Sequence, residues 1–190
     1  MNDWGARLMM LPGKRLTKWG GCSVCRIRGG PHVERIATQG EAASAYPFPR
    51  AWLEGTHNFS FSGLKTAVLR EIKRLAPNVR PGEEALPPSI PVANLAASFQ
   101  SAVIEVLTVK TIAAAKEYNA QSIFIAGGVS ANKALQAEMT RRAEGLPVRF
   151  PPLVLCTDNA AMIAAAGYFR FKSGQRDGLD FDVKPNWKLA

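Results

Sequence analysis

Hydrophobic positions fall into a helical rhythm in two stretches of the chain and into an unbroken run in a third. Leu64, Ala67, Val68, Ile72 and Leu75 recur at spacings of three and four, which puts them on one face of a helix that follows Gly63. Val92, Leu95, Phe99, Val103 and Val106 repeat that rhythm along a longer helix, expected from about Val92 to Tyr118. Pro77, Pro81, Pro87, Pro88 and Pro91 make a stiff connection between the two. The unbroken run is Ile123–Ala126, β-branched or aromatic at three positions, and it predicts a strand buried on both faces. Gly127 and Gly128 then turn the chain into a helix expected to open at Ser130 and to end near Gly145, followed by a short strand over Val148–Phe150.

Flanking segments complete an α/β pattern. Gly29–Ala37 reads as a turn and a helix with Pro31 at its first position, where the missing N–H costs nothing. Residues 44–57, with Pro47, Pro49 and Gly55, read as a loop. Asn58–Ser62 alternates apolar and polar residues, as a half-buried strand does. From Cys156 to Gly167 a helix is expected, capped by Asp158 or Asn159, with small residues that permit close packing on a neighbour. Residues 174–190 read as a polar tail, and there is no internal repeat.

The stretch richest in chemistry is Ala126–Asn132. Glycines at 127 and 128 let a ligand approach the backbone closely, because no Cβ intervenes. The N–H groups at the following helix start suit an anion or a polar ligand edge. The amide of Asn132 can both donate and accept there. Taken alone, these residues are better read as an ordinary β-turn-α connection, because short glycine motifs often match by chance. Asp158 is open to the same two readings, a helix cap or a carboxylate offered to a hard metal. Ser62 and Lys65 at the start of their helix read as a cap and a solvated lysine rather than a phosphate loop.

Composition changes this picture little. A hydrophobic share of 47% over 190 residues supports a sizeable core. No apolar run approaches the ~20 residues of a membrane span, and the start lacks the layout of a signal peptide. Cys22, Cys25 and Cys156 make no disulfide framework, so a cytoplasmic location is expected. The Cys22-Ser-Val-Cys25 pair lacks the second ligand pair of a zinc site. Of the net charge of +9, +5 falls within residues 1–30, which leaves the remainder only mildly basic.

Three segments together, NFSFSGLKT (Asn58–Thr66), AGGVSAN (Ala126–Asn132) and CTDNAAMI (Cys156–Ile163), resemble the TsaD family of tRNA threonylcarbamoyladenosine synthases, long called glycoproteases. The likeness covers about residues 29–173. It implies a partial actin-like, sugar-kinase, Hsp70-ATPase-type fold, of which this chain is the C-terminal lobe. It implies transfer of a threonylcarbamoyl group from threonylcarbamoyl-AMP to an adenosine beside a tRNA anticodon. A divalent metal, iron in most members, holds the adenylate, and TsaB-like and TsaE-like proteins are partners. By motif match, Asp158 resembles the family's metal-binding aspartate and Asn132 its nucleotide contact. The stretch Ile123–Ser130, with Gly127 and Gly128, resembles the superfamily's adenosine motif. Gly30 resembles the glycine closing on the ribose side, and Glu34 stands in the place of an acidic ribose contact.

The departures are informative. The family's His-x-x-x-His pair and its serine-glycine-glycine-histidine loop are absent, and His32 and His57 match neither. A single metal ligand of three holds an ion poorly, so the chain reads as a catalytically incomplete fragment. There is no HExxH protease motif either. Residues 7–29, translated one base out of register, can spell a family-like Ile-Asp-Asp-Ala-Ala-Gly-Gln-Ala-Phe-Asp-Lys segment and its continuation. Met9–Met10 must give Asp in that frame and Trp19–Gly20 must give Gly. Residues 1–28 are therefore expected to be out-of-frame and unstructured. Two further readings stand beside the transferase: a non-catalytic lobe that binds a partner protein, and a sugar-kinase-like binder of ATP.

Overall fold

The computed structural model describes residues 30–41, 43–78, 87–156 and 159–179. The expectations for residues 1–28, for the Cys22/Cys25 pair, for Asp158 and for the end of the tail lie outside these. The described chain runs through five α-helices: α1 (Gly30–Ala37), α2 (Ser62–Leu75), α3 (Val92–Glu117), α4 (Lys133–Arg142) and α5 (Ala160–Lys172). Two short strands, β1 (Ile123–Phe124) and β2 (Val148–Arg149), flank α4 and pair in parallel, Ile123 opposite Val148 and Phe124 opposite Arg149. Helix α4 is thus the crossover of a βαβ unit, the connection that parallel neighbours require.

Helix α3 is the axis of the core. Leu95, Ala102, Val103, Ile104, Leu107 and Ile112 are buried along it, on more than one face, because α1, α2 and α4 all pack on it. The five-residue stripe read from the sequence is part of this wider buried surface. Leu64, Val68 and Ile72 of α2 enter the same core at helical spacing, as do Ile123, Ile125, Leu135 and Met139 of the βαβ unit.

Residues 40–41 and 43–58 run alongside α3 in its own direction and are tied to it at intervals. Gly40 sits so close that a Cβ there would lie 2.7 Å from the Ala93 carbonyl oxygen. The Glu41 N–H donates to Asn94 at 2.9 Å and the Tyr46 N–H to Ser98 Oγ at 3.2 Å. Arg50 pairs with Glu105 at 2.9 Å and His57 with Glu117 at 2.8 Å. Between these pairs, the buried ammonium of Lys110 donates to the carbonyls of Trp52 and Asn58, and burial holds its pKa below the ordinary lysine value.

Several expectations shift. Asn58–Ser62 forms no strand: Phe59 and Phe61 are half-buried anchors on the core, and Ser62 already begins α2. An alternating pattern needs a pairing partner to become a strand, and here the apolar side chains are used as plugs instead. By length and composition alone α3 could cross a bilayer, contrary to the expectation that no run is long enough. Its paired Glu105 and Lys110, and its position at the centre of the packing, make it a core helix. Helix α5, expected to pack closely on a neighbour, is exposed along its whole length.

Candidate functional site

The glycine corner follows directly from β1, at the carboxyl end of the parallel pair, where open α/β sheets place their ligands. Gly127 has φ +86° and ψ 170°, a conformation essentially confined to glycine. Its carbonyl accepts from both the N–H of Ser130, at 3.0 Å, and the hydroxyl of Ser130, at 2.6 Å. A single 3₁₀ turn, Gly128–Ala131, follows, and a Cβ built at Gly127 or Gly128 would meet nothing within 4 Å. The corner therefore presents bare backbone to open space.

Helix α4 opens at Lys133 rather than at Ser130, and its cap is Asn132, whose Oδ1 accepts from the Leu135 N–H at 2.8 Å. Ser130 is instead fully buried, with its hydroxyl 3.1 Å from the buried thiol of Cys156. The other half of the Asn132 amide is also engaged, Nδ2 donating to Gln100 Oε1 of α3 at 2.9 Å. Gln136 Nε2 closes the turn by donating to the Ser130 carbonyl at 2.8 Å. Gln100 had no local signal in the sequence, since it lies 32 positions before the group it orients.

Glu34 reaches this corner from α1. Its Oε1 accepts from the Lys133 N–H at 2.7 Å, so the anion-binding position at the start of α4 is filled by the chain's own carboxylate. One hydrogen bond thus joins residues 99 positions apart. The structure brings Glu34, Gly127, Gly128 and Asn132 together, with Gly30 opening the helix that carries Glu34. Asp158 lies outside the described residues. Cys156, two positions before it, packs on Ser130, and Asn159, just after it, caps α5 by accepting from the Met162 N–H at 3.0 Å. Of the two candidate caps for that helix, the structure uses Asn159.

Among the described residues no group of three or more His, Cys, Asp or Glu side chains could hold a metal. Arg35 Nη2 donates to His32 Nδ1 at 3.3 Å, and His57 faces Glu117. A cleft of about 450 Å³ opens at the opposite end of β1, between the ends of α3 and α4, bounded by Lys116, Asn119, Gln121 and Glu144. It lies at the amino end of the strands, away from the corner, and the Lys116–Glu144 ion pair at 2.9 Å borders it.

A family model, TsaD: tRNA N6-adenosine threonylcarbamoyltransferase, matches residues 2–165. The chain belongs to the TsaD family. Proteins named tRNA N6-adenosine threonylcarbamoyltransferase are similar to it over most of its length. The one from Dehalococcoides mccartyi is 49% identical over 157 residues, 83% of this chain and 44% of the relative. That of Thermomicrobium roseum is 48% identical over 173 residues, 85% and 47% of the two chains. That of Bacillus subtilis is 45% identical over 166 residues, 85% and 45%. The chain therefore spans less than half the length of these TsaD relatives.

Proposed function

We propose that this chain supplies the nucleotide end of a tRNA N6-adenosine threonylcarbamoyltransferase, as the C-terminal lobe of an actin-like fold. The parent reaction moves a threonylcarbamoyl group from threonylcarbamoyl-AMP to the exocyclic amine of a tRNA adenosine. The observation that carries the reading is the Glu34–Lys133 hydrogen bond, which sets α1 against the bare glycine corner. An adenosine fits such a corner: its flat ring can lie against backbone that no Cβ shields, and its ribose hydroxyls suit a carboxylate acceptor. Glu34 commits only Oε1 to the helix start. Gly127 and Gly128 give the approach, Glu34 the ribose contact, and Asn132 with Gln100 holds the corner's shape.

A metal would require Asp158 together with ligands from the rest of the family domain, where it would polarise the adenylate as a Lewis acid. The chain by itself is then inactive, and tRNA, a TsaB-like protein and a TsaE-like protein belong to the completed assembly in a cytoplasmic setting. We also propose that residues 1–28 are an out-of-frame translation, although the family match begins at residue 2. Codons unable to spell the family-like segment overturn it.

Titration calorimetry with AMP and with ATP tests the main reading, on the chain alone and with the remainder of a TsaD relative added. AMP binding that strengthens on completion is expected. Tight ATP binding by the chain alone, indifferent to completion, would favour the kinase-like reading instead.

A further inference from the structure

The glycine corner is held from behind. Ser130 is fully buried, and its Oγ lies 2.6 Å from the Gly127 carbonyl oxygen and 3.1 Å from Cys156 Sγ. These two contacts fix the hydrogens. A carbonyl only accepts, so the single hydroxyl hydrogen of Ser130 goes to Gly127. In the second contact the thiol of Cys156 is then the donor, and a lone pair of Ser130 Oγ accepts. The carbonyls of Pro151 and Pro152, each 3.5 Å from the thiol, are the longer alternatives. Thiol, hydroxyl and carbonyl form a chain in which each hydrogen bond polarises the next. It crosses from the loop after β2 to the turn after β1, between residues 26 positions apart.

The chain of bonds ends on a peptide that needs a hold. A peptide between two glycines has no Cβ on either side to oppose its rotation, so it flips at little cost. The Gly127–Gly128 peptide is trans, and its C=O and N–H therefore point in opposite directions. With the carbonyl drawn inward to the buried Ser130, the Gly128 N–H is turned the other way, and Gly128 itself is exposed. A flipped peptide would present a carbonyl to the ligand where the held one presents a donor.

We propose that Ser130, oriented by the thiol of Cys156, is a positioning residue for the nucleotide: it selects the orientation of the Gly127–Gly128 peptide that offers the Gly128 N–H to the ligand. The inference rests on the adenosine reading of the corner and adds the side chains that set it. A thiol that only filled space would be replaced as well by alanine as by serine, whereas a donating thiol is replaced by serine alone.

Two measurements test it. The first needs no ligand: the S–H stretching band of Cys156 in the full chain is isolated as the infrared difference between the native protein and Cys156→Ala. That band should move in Ser130→Ala. The second is AMP titration calorimetry on the chain completed with the remainder of a TsaD relative. Ser130→Ala and Cys156→Ala should each weaken AMP at least about fivefold, the loss of one orienting hydrogen bond. Cys156→Ser should return the affinity to within about twofold of native, because its hydroxyl donates in place of the thiol, and the double alanine variant should be no weaker than Ser130→Ala, because the two act in series. The proposal is overturned by an S–H band that Ser130→Ala leaves in place, by native AMP affinity in Ser130→Ala, or by Cys156→Ser binding no better than Cys156→Ala. A completed native assembly that binds no AMP refutes the proposed function, and a band that moves in Ser130→Ala then still upholds the hold on the corner.

Discussion

Two adjacent glycines in one turn should respond to the same substitution in opposite ways. Gly127 holds φ +86° with its carbonyl fixed by two donors from Ser130, so the backbone has little freedom to relax. An alanine there carries strain of about 1–3 kcal/mol, reduced by the ~0.4–1 kcal/mol that a stiffer unfolded chain returns. The net loss is about 1–2 kcal/mol, or a fall of roughly 2–8 °C in melting temperature for a chain of this size. Gly128 has no positive φ, and its Cβ would meet open space, so Gly128→Ala should be neutral or raise stability by about 0.5 kcal/mol. Urea titration by circular dichroism on the two variants measures both. In the completed assembly the order reverses for the ligand: the Gly128 methyl enters the space assigned to the adenosine, and AMP affinity should fall at least about tenfold. A Gly127→Ala variant as stable as the native chain would refute the corner's conformation. Gly128→Ala with unchanged AMP affinity would refute the placement of the nucleotide.

Three further outcomes follow from particular contacts. Asn132→Ala removes the cap on α4 and should cost about 1 kcal/mol, whereas Asn132→Ser keeps a capping oxygen and should recover about half of it, measured by chemical denaturation. Gly40→Ala forces a Cβ to within 2.7 Å of the Ala93 carbonyl on α3, and overpacking against backbone should cost about 1–3 kcal/mol, seen as a lowered urea midpoint with an unchanged slope. Glu138 accepts two hydrogen bonds from Arg141, at 2.6 and 2.7 Å, and one from Arg142, and these hold its carboxyl at about 2. A depressed carboxylate stabilises the fold above its ordinary pKa and loses that contribution as pH falls through about 4.5 toward 2. The cluster is solvent-facing, so the loss should be about 1 kcal/mol, absent in Glu138→Gln, when stability is compared at pH 7 and pH 3.

Much of the fold is legible where local pattern and burial agree. The rhythm of Leu64, Val68 and Ile72 needs only one apolar face, and α2 buries those three. The bounds of α3 fall within a residue of expectation, because Pro91 and the turn after Tyr118 both stop a helix. What the sequence hid depends on distant partners. Ser130 and Asn132 are both good caps, and only Cys156, 26 positions on, and Gln100, 32 positions back, determine which one faces inward. The Asn132 amide also carries bonds that the sequence did not announce, Nδ2 donating to Gln100 and Oδ1 accepting from the Leu135 N–H, so it shapes the corner as well. Glu34 resembled a ribose contact, and its place as the acceptor at a helix start is visible only once α1 meets the start of α4. Helix α5 illustrates the reverse case: its composition called for burial, and the described residues offer it no cover.

The most direct measurement is nucleoside mass spectrometry of unmodified tRNA incubated with threonylcarbamoyl-AMP and a divalent metal, using this chain, the remainder of a TsaD relative, or both together. N6-threonylcarbamoyladenosine should form in the combined mixture and in neither half alone. Modified adenosine from this chain by itself, or none from a mixture in which the two halves have formed a stable complex, would contradict the account.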